Sequence, residues 1–556
     1  MLPAAHDWRA GPILAPSSTP AADQPTANAA AEPDLVRRRT FRIAIGAILL
    51  VAGVWRLVLA AAMPCISRDG AQFCWQARDL GRNGIALLAT DSYQQHPLFP
   101  ATILGVQRVL VLLGAPPTPE TWQRSGQIVA WISGMAVVCL AGVLTSQLGR
   151  RLKLPVATRR STLYALALAA VLPLNTWLSA DVMSDQLHLA LYLGGVALVV
   201  ALQHWKTAFA CGLVGGLAFL TRPEGAVVCL AAAAALIARR HCWPARVWVT
   251  NGVAVAVGFL LCAGPYIAAT GRLSPKTDKE PVESFRAGVA VAPIETRDSL
   301  NRPRHAALLR REVSWVASLP QVLIEVFRAG RVVIPVLALA PLIHLRRRLT
   351  RPPLVGFVVC MTVHFALTAY LLARHGYLQP RHTLVVVMLL VPLAAILLDH
   401  LCRTLTSRGA RRAAIVVLAA CFGPMALRSV FIPNGADAFI ADAARWLREH
   451  DPEVSTKLLL GGSSQRRLAF YADMRLQPWP ENEPTIERRF EALRDHLLRS
   501  RPDYFAIDTG PGEERAGNDE LLELLRADAV SQHVRERHAR PNRSGDAKVH
   551  IWSWDW

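Results

Sequence analysis

FRIAIGAILLVAGVWRLVLAAAMPCISRDGAQFCWQARDL, residues 41 to 80, joins an apolar run to a segment carrying Cys65, Arg68, Asp69, Cys74 and Arg78. At 1.5 Å per residue, residues 41 to 62 are long enough to span the ~30 Å hydrocarbon core of a bilayer as a helix. Asp69 therefore stands where the chain leaves an apolar layer. A carboxylate beside hydrocarbon is costly unless it has a partner or a task. One ordinary task is to cap the helix that the pattern starts at Ala71, a role open to Ser67 or Asp69.

The rest of the chain repeats the theme. It has 556 residues, 52% of them hydrophobic, yet a formal charge of +20. Soluble globular chains rarely combine these values. Apolar stretches of spanning length recur at 41–62, 125–147, 161–178, 187–203, 206–221, 224–239, 246–269, 322–345, 353–373, 382–400 and 412–431, with 98–114 ambiguous. The fold class is a polytopic α-helical membrane protein of about eleven to thirteen transmembrane helices.

Arginine and lysine clusters at 37–39, 150–160, 239–246, 346–351 and 403–412 fall on one side if 98–114 lies in the interface and the other segments all cross. The positive-inside rule makes that side cytoplasmic. The expected layout is a disordered cytoplasmic tail at 1–36, a transmembrane domain at 37–432 with outer loops 63–97 and 270–320, and an extracytoplasmic α/β domain at 433–556. This places a multi-pass protein in the cell inner (plasma) membrane, active face outward. The basic excess is largely a topology signal, and no arginine and aromatic pattern suggests nucleic acid as a partner.

After Ile432 the composition turns charged and cysteine-free. TKLLLGG (456–462) and DYFAID (503–508) read as buried strands, AKVHIWSW (547–554) as a closing strand, and 485–500 and 519–528 as helices. Loop 270–320 is long for a plain connection and suits a lid. Cys65 and Cys74 sit together on the oxidising side, so a disulfide between them stays open. The glycines of CGLVGGLAF (211–219) read as a close helix-packing site.

Four further segments carry candidate chemistry. His96 and Pro97 open an apolar helix, for which an ordinary helix entry is a sufficient account. Asp181 and Asp185 in SADVMSDQLHL (179–189) are spaced to share one helix face, where paired acids can do acid/base work. In GGLAFLTRPEG (215–225), Arg222 and Glu224 lie between two short apolar segments and either pair with each other or bind something. A guanidinium there suits a phosphate, whose oxygens its planar donors engage two at a time. Arg381 opens another span, where snorkelling to the interface is the bland account.

In order, these segments resemble the integral-membrane GT-C glycosyltransferases, the branch of protein O-mannosyltransferases, lipid A aminoarabinose transferases and their bacterial relatives. SRDGAQFCWQARDL resembles that family's first outer loop, HPLFPATIL its H-P-P-L-Y-P segment, LAFLTRPEG its L-T-R-P segment and QPRHTL its P-R-Y-L segment. SADVMSDQLHL agrees with a family turn as well. Leu98, Phe73 and His382 depart from the residues common there. The resemblance covers about 41–556. It implies inverting transfer of a sugar from a polyprenyl-phosphate donor to an acceptor hydroxyl of a protein, lipid or glycan among the membrane lipids. Asp69 would be the general base, Arg222 and Arg381 would hold the phosphate, and His96, Asp185 and Glu224 would bind substrate.

Two other classes are weighed against this. A transporter or lipid-carrier flippase also fits many spans and intramembrane charges, but no duplicated halves are visible. A membrane-anchored interaction protein would need a binding motif in the tail, and none is evident. No motif demands a cofactor; a divalent metal stays open, since no ligand cluster has metal-binding spacing.

Overall fold

The computed structural model describes residues 27–90, 95–154, 158–271, 273, 315–375, 378–404, 407–430, 437–462, 465–478, 486–509, 518–527, 534–541 and 548–554. The chain divides into two units, Met1–Ala47 and Ile48–Trp556. The helix α1, Ala27–Ala62, begins inside the stretch expected as a disordered tail, as its alanine-rich start favours. Loop 270–320 lies almost wholly outside the described residues, so the lid expected there is not tested.

Among the described residues six helices are long and apolar enough to cross a membrane: Arg39–Ala62, Pro119–Arg151, Ser184–Ala201, Ala245–Thr270, Val355–Ala373 and Pro380–Thr404. Other stretches expected as spans are broken into shorter helices. The stretch 161–178 divides into α5 (Thr158–Val171) and α6 (Pro173–Leu178). Pro173 has no N–H for the carbonyl of Ala169. Asn175 Nδ2 donates to that carbonyl at 2.8 Å instead, and the buried Arg56 of α1 donates to Ala169 and Ala170 at 3.4 and 3.2 Å. This explains a fully buried guanidinium in an apolar helix: it satisfies carbonyls released by a proline. The stretch 322–345 likewise divides, into Trp315–Ala329 and Val333–Leu349, where Arg331 and Val332 take positive φ of 53° and 62°.

The ambiguous 98–114 contains α3, Leu98–Leu112, whose 15 residues reach only about 22 Å. α2, Arg68–Asn83, is amphipathic and starts before the expected Ala71. Ser67, not Asp69, is its cap, accepting from the amide of Gly70 at 3.1 Å. Asp69 sits in the first turn, where the helix dipole favours negative charge.

α4 is Pro119–Arg151 and α7 is Ser184–Ala201. α8 (Trp205–Phe219) and α9 (Val227–Arg239) are joined by a single 3₁₀ turn, Pro223–Ala226, and α10 (Ala245–Thr270) packs on α8. The glycines of 211–219 do make a close contact: a Cβ on Gly212 would lie 2.1 Å from the carbonyl oxygen of Val255.

The last part of the chain holds α11, Ala438–His450, α12, Arg466–Ala472, and a five-stranded sheet. Its strands are β1 (Leu458–Gly461), β2 (Arg475–Pro478), β3 (Tyr504–Thr509), β4 (Val534–Pro541) and β5 (Lys548–Trp554), in the order β2-β1-β3-β5-β4. β2, β1 and β3 run parallel, while β5 is antiparallel to both β3 and β4. The three expected strands and both expected helices, Ile486–Ser500 and Asn518–Ala527, are present. The strand period of two separates the faces. Leu460, Phe505, Ile507 and Trp552 pack under the two helices. Leu459, Ala506, Val549 and Ile551 join a core that includes Phe439, Tyr471, Ile66, Phe73, Phe99 and Trp122. The sheet thus shares its core with the segment around α2. Cys65 and Cys74 are separate buried thiols inside that core, so the disulfide is not formed. Burial pushes the Cys65 thiol up to about 12, keeping it protonated and inert.

Candidate active site

Four segments build one cavity. The start of α7 supplies Asp185 and His188, the turn after α8 supplies Arg222 and Glu224, the helix Val355–His375 supplies His364, and the turn Pro380–Thr383 supplies Arg381 and His382. Leu189, Leu367, Leu371, Leu384 and Val385 complete its walls, and the cavity opens to solvent.

Local sequence explains both turns. The residue before a proline is pushed to extended backbone. Arg222, before Pro223, has φ −158° and ψ 142°, and Gln379, before Pro380, has φ −92° and ψ 147°. Each proline then starts a 3₁₀ turn that carries a cation toward the cavity. Gly225 lets the first turn close onto α8, since a Cβ there would stand 2.2 Å from the carbonyl carbon of Ala218.

Two ion pairs organise the charges. Arg222 Nη2 lies 3.1 Å from Asp185 Oδ1, with the aspartate side chain 4% exposed. Arg381 Nη2 lies 3.0 Å from Asp69 Oδ2, so the acid of α2 meets the cavity through a guanidinium that lines it. The expected alternative of a mutual Arg222 and Glu224 bridge gives way to the pair with Asp185. Glu224 Oε2 is buried without a hydrogen-bond partner among the described residues.

Asp181 and Asp185 do not share a helix face. α7 begins at Ser184, and Asp181 lies before it in an irregular turn. Asp181 Oδ1 accepts from the amides of Val182 at 2.7 Å and Ser67 at 3.1 Å, tying its turn to the cap of α2. A second tie comes from the sheet side. Tyr471 of α12 accepts from the Ile66 amide at 2.8 Å and donates to Gln123 Oε1 at 2.6 Å, while Gln123 Nε2 donates to the Met63 carbonyl at 3.3 Å. The backbone leading to Asp69 is therefore held at Met63, Ile66 and Ser67.

His96 is not among the side chains lining this cavity. It packs against Phe219 and Tyr266, with centroids 5.6 and 5.9 Å away. Sequence reasoning missed His188 and His364 altogether and treated His382 only as a departure from a motif. His188 Nδ1 lies 3.2 Å from Thr221 Oγ1, and His364 packs edge-on to Tyr192 at 5.4 Å. Single histidines inside apolar helices were the available signal. Among the described residues no group of three or more His, Cys, Asp or Glu side chains is placed to hold a metal ion.

No family model matches the chain, and no curated protein matches it in sequence. Solved structures do match its fold. ArnT from Cupriavidus metallidurans in the apo state aligns with TM-score 0.57 at 13% identity, covering 91% of this chain and 97% of that one. The same protein bound to undecaprenyl phosphate aligns with TM-score 0.53, at the same identity and coverage. The archaeal oligosaccharyltransferase AglB from Archaeoglobus fulgidus, in complex with an inhibitory peptide and a dolichol-phosphate, aligns with TM-score 0.55 at 11% identity over 84% of this chain and 69% of that one. With its apolar helices and a cavity built at their ends, the chain is a multi-pass membrane protein with the GT-C fold.

Proposed function

We propose that this protein is an inverting glycosyltransferase that moves a sugar from a polyprenyl-phosphate donor to an acceptor hydroxyl at the extracytoplasmic face of the membrane. The observation that carries the reading is the Asp69 and Arg381 pair at the rim of a cavity that also holds Arg222. It supports reading Asp69 as the base and Arg222 and Arg381 as the cations that hold the donor phosphate. The solved structures of the same fold that hold dolichol-phosphate or undecaprenyl phosphate support a lipid-borne donor.

The acceptor oxygen attacks the anomeric carbon as its bond to the phosphate oxygen breaks, and Asp69 takes the hydroxyl proton. The leaving polyprenyl phosphate gains negative charge, which Arg381 and Arg222 stabilise through charge-assisted hydrogen bonds. Arg381 has a double role. In the resting site it pairs with Asp69; with donor bound, its remaining N–H groups reach the phosphate. Asp185 fixes the plane of Arg222. The layout expected from the positive-inside rule, with the α2 segment and the sheet on the outer side, belongs to this proposal.

The test is release of polyprenyl phosphate from radiolabelled polyprenyl-phosphate sugars by the purified protein in lipid vesicles, with Asp69→Asn beside wild type. Release by wild type and its loss in a folded variant are expected. Equal release by both removes Asp69 as base. Solute movement without carrier release would instead make the protein a transporter.

A further inference from the structure

The transfer chemistry leaves the inner wall of the cavity without a task. Asp69, Arg381 and Arg222 act at the reacting atoms, and Asp185 uses Oδ1 to hold Arg222. Beside Arg381 Nε, five buried polar atoms remain: Asp185 Oδ2, Glu224 Oε2, His188 Nε2, His364 Nδ1 and His382 Nδ1. None of these has a hydrogen-bond partner among the described residues. Asp185, His188 and His364 are each at least nine-tenths buried. Buried polar groups are normally satisfied, and five unsatisfied atoms on side chains that line one cavity call for a polar ligand.

The chemistry of those atoms narrows the ligand. Ionised carboxylate oxygens only accept hydrogen bonds, while each imidazole nitrogen donates or accepts according to tautomer. A ring of hydroxyls meets both needs, because each hydroxyl donates once and accepts twice. Charge narrows it further. The site gathers three carboxylates, Asp69, Asp185 and Glu224, against two guanidiniums, Arg222 and Arg381, and both guanidiniums are already paired. The donor phosphate adds more negative charge. A carboxylate on the sugar would then meet Glu224 in a confined space where, among the described lining residues, the cations are Arg222 and Arg381, both already engaged by carboxylates and, in the donor reading, by the phosphate.

Resting on the donor reading above, we propose that Glu224, His188, His364 and His382 form the subsite that reads the hydroxyls of the transferred sugar, and that it accepts a neutral glycosyl group and rejects a uronosyl one.

The experiment measures competition against labelled undecaprenyl phosphate by the protein in nanodiscs. The competitors are glucosyl, galactosyl and mannosyl undecaprenyl phosphates, each paired with its uronosyl counterpart, which differs only in carrying a carboxylate at C6. For the tightest pair, the neutral donor is expected to bind about tenfold or more tightly than the uronosyl one. Glu224→Gln keeps shape and removes the charge. It is expected to narrow that ratio severalfold, shifting it more than it shifts affinity for undecaprenyl phosphate alone. His364→Gln, read in the same assay, should weaken neutral donors more than carrier phosphate. Uronosyl donors binding as tightly as neutral ones, with carrier phosphate still bound, overturn the subsite and leave the donor reading standing. Variants that weaken all ligands equally also overturn the subsite. A wild-type protein that binds no undecaprenyl phosphate overturns both.

Discussion

Tyr471→Phe isolates the clasp that ties the sheet side of the molecule to the segment bearing Asp69. The phenol is buried, at 3% exposure, and burial pushes its pKa well above the ordinary 10, so its proton is available to Gln123 throughout the working range. Removing the hydroxyl strands the fully buried Ile66 amide and Gln123 Oε1 while leaving the ring's packing intact. Each stranded group costs about 1 to 3 kcal/mol, so the local loss is roughly 2 to 6 kcal/mol. Because Ile66 lies just before Ser67 and Asp69, the loss should appear as opening of this segment rather than of the whole protein. Hydrogen exchange read by mass spectrometry should show amides at 66–70 losing protection by about 30-fold or more, the equivalent of roughly 2 kcal/mol. Transfer turnover should fall with it, since a base displaced from the acceptor hydroxyl loses rate steeply. Unchanged exchange at Ile66 would refute the clasp, whatever happened to turnover.

Two further outcomes follow from packing and charge. Gly212→Ala puts a Cβ against the backbone oxygen of Val255, which cannot move aside as a side-chain end can. The variant should lose about 1 to 3 kcal/mol or fail to assemble α8 against α10, as read by thermal unfolding in nanodiscs. In Asp451, burial raises the pKa, but hydrogen bonds from Lys457 Nζ and Tyr504 Oη, both 2.7 Å, outweigh it and hold the carboxylate below its usual 3.8. A depressed acid stabilises above its unfolded pKa, so this contribution is complete above about pH 4 and is lost as pH falls through the lower folded value. Asp451→Asn should therefore flatten the acid limb of an unfolding curve taken from pH 5 to pH 2 relative to wild type.

Much of this protein was legible in one dimension, because the features concerned are local or repetitive. Long runs of apolar residues announce helices meant for hydrocarbon, short buried-strand runs announce β1 and β3, and alternation announces β5. The turn containing Arg222 was visible because a proline on one side and a glycine two residues beyond it punctuate an apolar hairpin. Local reading failed where a distant partner changed the outcome. The segments 161–178 and 322–345 look continuous, yet each breaks, the first because carbonyls freed at Pro173 find Arg56 and Asn175.

The sequence by itself determined the membrane class, most of the helical segments, three of the five strands, and which charges stand at the edges of apolar runs, since those properties depend on neighbours a few residues away. The choice of partner was decided only in three dimensions. Spacing offered Asp185 to Asp181 and Arg222 to Glu224, but the folded chain pairs Asp185 with Arg222 and Asp69 with Arg381. It also gathers His188, His364 and His382 from three separate elements around one cavity. Electrostatic pairing falls off over a few ångströms of space, and sequence separation does not measure that distance.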